Sequence, residues 1–167
     1  MTTRTAQRRN TGRNTWLVGL SLVAAVTASG CQETEGTIVG PRGGVIMSDD
    51  GAFMMEIPAG ALDSDADITI EEVECRAEDA IQACYEVGPV GLPMLKPARV
   101  TYEVDDDLLR AFPDELAVFV ERERDWSELG DRDVLPSEGE VSASALYLSS
   151  YALVAAPGDA PVNAAAH

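Results

Sequence analysis

The chain has 167 residues, 46% of them hydrophobic and 25% charged. This is the composition of one globular domain with tails, not of a disordered or collagen-like chain. Twelve Lys and Arg face 29 Asp and Glu, a formal charge of −17. Arg4, Arg8, Arg9 and Arg13 precede the first acid, so the rest of the chain is more negative still, repels phosphate backbones and excludes nucleic acid as a partner.

After the basic stretch comes an apolar run from Trp16 to Ala28, short of the roughly 20 residues that span a bilayer. Such a pattern predicts a cleaved signal peptide over residues 1–30. Ala28-Ser29-Gly30-Cys31 resembles the bacterial lipobox, with Ala28 where Leu is commoner. The resemblance implies cleavage between Gly30 and Cys31, a thioether-linked diacylglycerol on Cys31, and acylation of its new amino group by a chain such as palmitate. Several acyl chains on one residue anchor a protein stably. Arg8-Arg9 lacks the following apolar pair of a twin-arginine signal, so the general secretory route is preferred. Gln32 stands where Asp would retain a lipoprotein in the inner membrane of enteric bacteria, which implies the outer membrane of the cell envelope. An ordinary secretory signal and an uncleaved anchor are the alternatives.

Residues 31–39 read as a short polar tether, 40–157 as the folded unit, and 158–167 as a disordered tail rich in Ala. Within the folded unit the hydrophobic period is 2. Asp50-Gly51 is a hairpin signal ahead of Phe53, Met55 and Ile57. Further alternating runs place Ile68 and Ile70, then Val100, Tyr102 and Val104, each set on one face. Leu116, Val118 and Val120 form another, as do Val141, Ala143 and Ala145, and Tyr151 with Leu153. Prolines fall between these runs, where a missing ladder donor is harmless. Short helices are expected at Ala77–Cys84 and Asp107–Phe112. Six to eight short strands at this spacing predict an all-β sandwich.

Three motifs in order then resemble the ZU-five domain, an all-β module of zonula occludens proteins, ankyrins and netrin receptors. The first is Gly43-Gly44-Val45 with Asp50-Gly51, Ile57-Pro58-Ala59-Gly60-Ala61-Leu62 and Ile68-Thr69-Ile70. Gly88-Pro89-Val90-Gly91-Leu92 with Lys96-Pro97-Ala98-Arg99-Val100 is the second, and Leu148 to Val154 matches the closing strand. Pro58, Gly60, Gly88, Pro89 and Gly91 read as turn and scaffold residues. Some family members cleave themselves at a His-Phe-Ser on the last strand. Tyr147-Leu148-Ser149 stands here, without the His that would activate the Ser, so the resemblance does not imply cleavage.

His167, on the tail, is the sole histidine, which excludes nucleophile–His pairs and His-rich metal sites by counting. No cofactor is expected. Asp63, Asp65, Asp67 and Glu74 have the carboxylate spacing of an EF-hand, but Ile68 takes the place of its invariant Gly. A solvated acidic turn is the preferred reading, and calcium a secondary one. With Cys31 lipidated, Cys75 and Cys84 form an even pair in an oxidising compartment, and a disulfide is expected. The resemblance implies a non-catalytic protein-interaction or structural role. A calcium-dependent adhesion or matrix-binding module is the alternative, followed by a carboxylate-dependent hydrolase. The acidic turns at Asp49-Asp50, Asp63 to Asp67 and Asp105 to Asp107 suit a basic or cation-bridged partner.

Overall fold

The computed structural model describes residues 36–112 and 115–155. The expectations for Gly30, Cys31 and the C-terminal tail lie outside those residues. Eleven strands and one helix follow in order: β1 (Thr37–Val39), β2 (Gly44–Met47), β3 (Phe53–Ile57), β4 (Ala66–Val73), β5 (Cys84–Gly88), β6 (Pro93–Glu103), α1 (Asp106–Ala111), β7 (Leu116–Arg122), β8 (Asp125–Glu128), β9 (Asp133–Leu135), β10 (Glu140–Tyr147) and β11 (Ser150–Ala155). They make a six-stranded sheet ordered β1-β4-β5-β11-β7-β8 and a five-stranded sheet ordered β2-β3-β6-β10-β9. Every pairing is antiparallel.

The all-β sandwich expected from the alternation is therefore present, with more strands than the six to eight predicted. The extra ones are short. β1, β8 and β9 have three or four residues, too few to display a period of 2. Thr37–Val39 also corrects the tether, because these residues lie in the sheet, with Thr37 opposite Ile68 and Val39 opposite Ala66. Their β-branched side chains suit a pleated surface, and Val39 is buried.

The apolar faces lie where the alternation puts them. Phe53, Met55, Ile57, Ile68, Val100, Tyr102, Val104, Leu116, Val118, Val120, Val141, Ala143, Ala145, Tyr151 and Leu153 share one core between the sheets. Asp50-Gly51 does turn the β2–β3 hairpin. Gly51 adopts φ +77°, its N–H donates to the Ser48 carbonyl, and the Ser48 N–H donates to the Phe53 carbonyl.

Of the two expected helices, one forms. α1 covers nearly the predicted span and carries Arg110 paired with Asp106 and Asp107. The segment from Ala77 to Cys84 is not a helix. Ala80 bridges Val154, the Ile81 N–H donates to the Leu153 carbonyl, and Cys84 already opens β5. An edge of β11 left free beyond its pairing with β5 takes up these backbone groups, and that demand overrides a weak local helix preference.

The topology gives the sandwich two distinct ends. One carries the Gly88–Pro93 turn, the Tyr147–Ser150 corner and the loop from Ile57 to Ala66. At the other lie the β2–β3 turn, the segment from Val104 into α1, the β9–β10 turn and Ala155.

Candidate functional site

At the second end, the β2–β3 turn and the far half of β4 approach each other across the open side of the sandwich. Ser48, Asp49 and Asp50 from the turn, Ile70, Glu71 and Glu72 from β4, and Tyr85 from β5 line a cleft of about 260 Å³. Asp50 is held from three directions. The Ser48 hydroxyl donates to its Oδ1 at 2.6 Å, the Ala52 N–H to the same oxygen at 3.0 Å, and the Tyr85 hydroxyl to its Oδ2 at 2.6 Å. Burial pulls the Asp50 carboxyl upward, and these hydrogen bonds outweigh it, leaving the group below its ordinary value. Burial, then the hydrogen bond to Asp50, pushes the Tyr85 hydroxyl well above the ordinary phenol range.

Asp50 is thus a part of the turn. Asp49, Glu71 and Glu72 remain on the rim, and the three ion pairs among the described residues lie elsewhere, at Arg99–Asp133 and on α1. The cleft is below the 300–1,000 Å³ usual for small-molecule sites, and it is acidic on both walls. A single cationic side chain matches its size and sign.

The acidic turns singled out in the sequence do not converge as a set. Asp49-Asp50 and Asp105 to Asp107 share one end, since the Glu103 N–H donates to the Ala52 carbonyl between them. Asp63, Asp65 and Asp67 lie at the opposite end, ahead of and within the first turn of β4. Glu74 is separated from them by the strand itself. β4 is extended over eight residues, so Glu74 stands about 23 Å along the chain from Asp67 at 3.3 Å per residue. The EF-hand spacing is thereby stretched out instead of wrapped, with Ile68 buried at the position that a loop would need for its turn. Among the described residues no group of three or more His, Cys, Asp or Glu is placed to hold a metal ion. Glu71 and Glu72 were not singled out in the sequence. Their strand alternation is local, whereas their place in one cleft with Asp49 depends on how the sheets close.

Cys75 and Cys84 are joined by a disulfide, with Cα atoms 5.0 Å apart. Cys84 is fully buried in a small second cluster with Ala152 and Val154 on the outer face of the six-stranded sheet, against Val73, Ala77, Ala80, Phe119 and Trp126. The bond therefore closes the segment that covers this face.

At the first end, the scaffold residues hold corners. Pro58 and Gly60 follow β3; Gly60 has φ +78° and its N–H donates to the Pro41 carbonyl at 2.8 Å. Gly88 and Pro89 end β5, and Gly91, at φ +86°, donates its N–H to the Leu148 carbonyl at 2.7 Å. A side chain resists both conformations. In the Tyr147-Leu148-Ser149 corner, Leu148 is buried and its N–H donates to the Leu92 carbonyl. The Ser149 hydroxyl donates to the Glu121 carbonyl at 2.7 Å, and the Tyr151 hydroxyl to the Tyr147 carbonyl at 2.6 Å. Ser149 serves the corner as a donor.

No protein-family model matches this chain, and no curated protein matches it.

Proposed function

We propose that this chain is a lipid-anchored protein of the cell envelope, held at the outer membrane through Cys31, whose ZU-five-like sandwich binds a protein or envelope component without catalysis. The N-terminal order of basic residues, short apolar run and small residues before Cys31 supports the anchor. The observation that carries the binding reading is the acidic cleft at one end of the sandwich. Asp49, Glu71 and Glu72 line it without a partner cation among the described residues. Asp105, Asp106 and Asp107 add charge at the same end. Loops are favoured over strand edges as the contact, because edge pairing next to so many like charges is discouraged. The complement of such a surface is a Lys- or Arg-bearing segment.

The test is capture of envelope proteins by the full, lipidated chain from detergent-solubilised membranes. Capture should fall steeply as salt rises to about 0.5 M, where the screening length is roughly 4 Å. It should fall likewise in a variant carrying Asp49→Asn, Glu71→Gln and Glu72→Gln. Capture indifferent to both changes removes the electrostatic reading. Capture that depends on calcium and is lost with a chelator assigns the protein to the adhesion class instead.

A further inference from the structure

Soft donor atoms are scarce on this chain. Of its five methionines, Met1 opens the N-terminal stretch, and Met55 and Met94 are buried in the core. Cys75 and Cys84 are joined to each other. Met47 and Met54 remain, and the fold sets them side by side. We propose that this pair holds one soft monovalent metal ion, of the class of copper(I) and silver(I), on the outer face of the five-stranded sheet.

The register makes the pair. Ile46, Phe53, Met55 and Ile57 are buried in the core, so Val45, Met47, Met54 and Glu56 are on the other face of β2 and β3. Met47 and Met54 are direct partners across the hairpin. The Ser48 N–H donates to the Phe53 carbonyl at 2.9 Å, which makes Ser48 and Phe53 a hydrogen-bonded pair. The next pair along the ladder, Met47 and Met54, is then of the non-hydrogen-bonded kind. Such partners have Cα atoms about 4.5 Å apart and the closer side chains of the two kinds. Three rotatable bonds let each thioether turn towards the other.

Both side chains line a hollow of about 130 Å³ together with Gly51, Thr101, Glu103 and Glu140. The Met47 Sδ leans over the turn, 3.9 Å from the point that a Cβ on Gly51 would occupy. Glu103 and Glu140 are themselves register partners on β6 and β10, and they bring carboxylates to the same hollow. Neither acid belongs to the three ion pairs among the described residues. The hollow is too small for an organic ligand and large enough for an ion with water around it.

Donor chemistry selects the ion. Thioethers are soft and uncharged and favour copper(I)-like ions, whereas calcium and magnesium require sets of oxygen ligands. Among the described residues no group of three or more His, Cys, Asp or Glu is placed to hold a metal ion. The thioethers therefore carry the selectivity, and the two acids add the negative field that a cation needs. Exposed methionines scattered singly are ordinary. Two in direct register, at a hollow shared with two acids, make a site. Met47 is 57% exposed, so the ion stays open to exchange, which suits pick-up and hand-over better than storage.

The experiment uses the full chain in detergent, labelled with carbon-13 at the methionine methyl groups. It is titrated with silver nitrate, a redox-stable probe of copper(I) chemistry, in chloride-free buffer. Met47→Leu and Met54→Leu assign the signals, and circular dichroism verifies the fold of each variant. The methyl signals report the pair itself, whatever silver binds at His167. Those of Met47 and Met54 should move together along one binding curve while Met55 and Met94 stay in place. Either single substitution should weaken the response of the remaining partner about tenfold or more, because the second thioether binds intramolecularly. Calcium should move neither signal. The variant carrying Asp49→Asn, Glu71→Gln and Glu72→Gln should titrate like the unaltered protein. Silver that moves neither signal overturns the site. So do signals that move independently, each unaffected by substitution of the other residue, because they describe two separate surface thioethers. Movement with calcium would assign the hollow to Glu103 and Glu140 alone, and loss of the response in the triple variant would place the ion in the acidic cleft. Both results overturn the proposal.

Discussion

The ring of Phe53 stacks on Tyr85 at 5.1 Å and on Tyr151 at 5.7 Å, and meets Tyr102 edge-on at 5.1 Å. β3 thus supplies the centre of an aromatic cluster drawn from both sheets. Phe53→Ala should cost about 3–5 kcal/mol, from lost burial and the cavity left behind, read as a lowered urea midpoint. The same cluster gives stability a pH dependence. Burial first of all holds the hydroxyls of Tyr85, Tyr102 and Tyr151 above the ordinary value of 10.0. A group raised in the folded state contributes stability that is complete below its unfolded value and lost as pH rises past it. Urea midpoints should therefore drop above about pH 10, and Tyr85→Phe should make that drop shallower. Asp50 acts in the opposite sense. Its carboxyl is lowered, so its share is present above the ordinary 3.8 and lost as pH falls below it. An alkaline limb unchanged by Tyr85→Phe would show that the phenol is not held as described.

At the scale of elements, the β4–β5 connection is the most informative segment. Ten residues are closed by the Cys75–Cys84 bond, and the loop they form packs Ala77 and Ala80 over the outer face of the sheet. On the loop-entropy account, removing the bond should cost about 2–3 kcal/mol. Cys75→Ala with Cys84→Ala should lower the urea midpoint by the corresponding amount while leaving the strand content intact by circular dichroism. Peptide mapping without reductant should recover the two cysteines joined. Thiol labelling of both residues in native protein would contradict the bond. A local helix across Ala77–Cys84 would withdraw the backbone groups that now pair with Leu153 and Val154, which is why the sheet prevails there.

For the whole molecule, the proposed anchor at Cys31 and the acidic cleft of the sandwich are separate parts of the chain. Cys31→Ala should leave an uncleaved, unlipidated precursor by mass spectrometry, and envelope fractionation should show it displaced from the outer membrane. A mature form beginning elsewhere and still membrane-bound would place the anchor at another residue. Cleft substitutions should affect partner capture without releasing the protein from membranes, because the cleft residues are no part of the proposed anchor at Cys31.

Much of this was legible in the amino-acid sequence. Alternation along Phe53 to Ile57 or Leu116 to Val120 assigns each side chain to a face, because the period of 2 is a property of an extended chain wherever it lies. Asp50-Gly51 marks its own turn through the positive φ that Gly51 adopts, and Cys75 and Cys84 are an expected pair once Cys31 is read as the lipidated residue. Tertiary structure decided what these local rules do not contain. Thr37–Val39 became a strand because β4 offered it an edge. Ala77–Cys84 lost its helix to the edge of β11. Asp63, Asp65 and Asp67 parted from Glu74 because an extended strand runs between them, and Glu72 came to line one cleft with Asp49 only through closure of one sheet on the other. A residue's face follows from its neighbours in sequence, but its end of the molecule and its partners follow from strand order, which is set by long-range burial and hydrogen bonding across the whole chain.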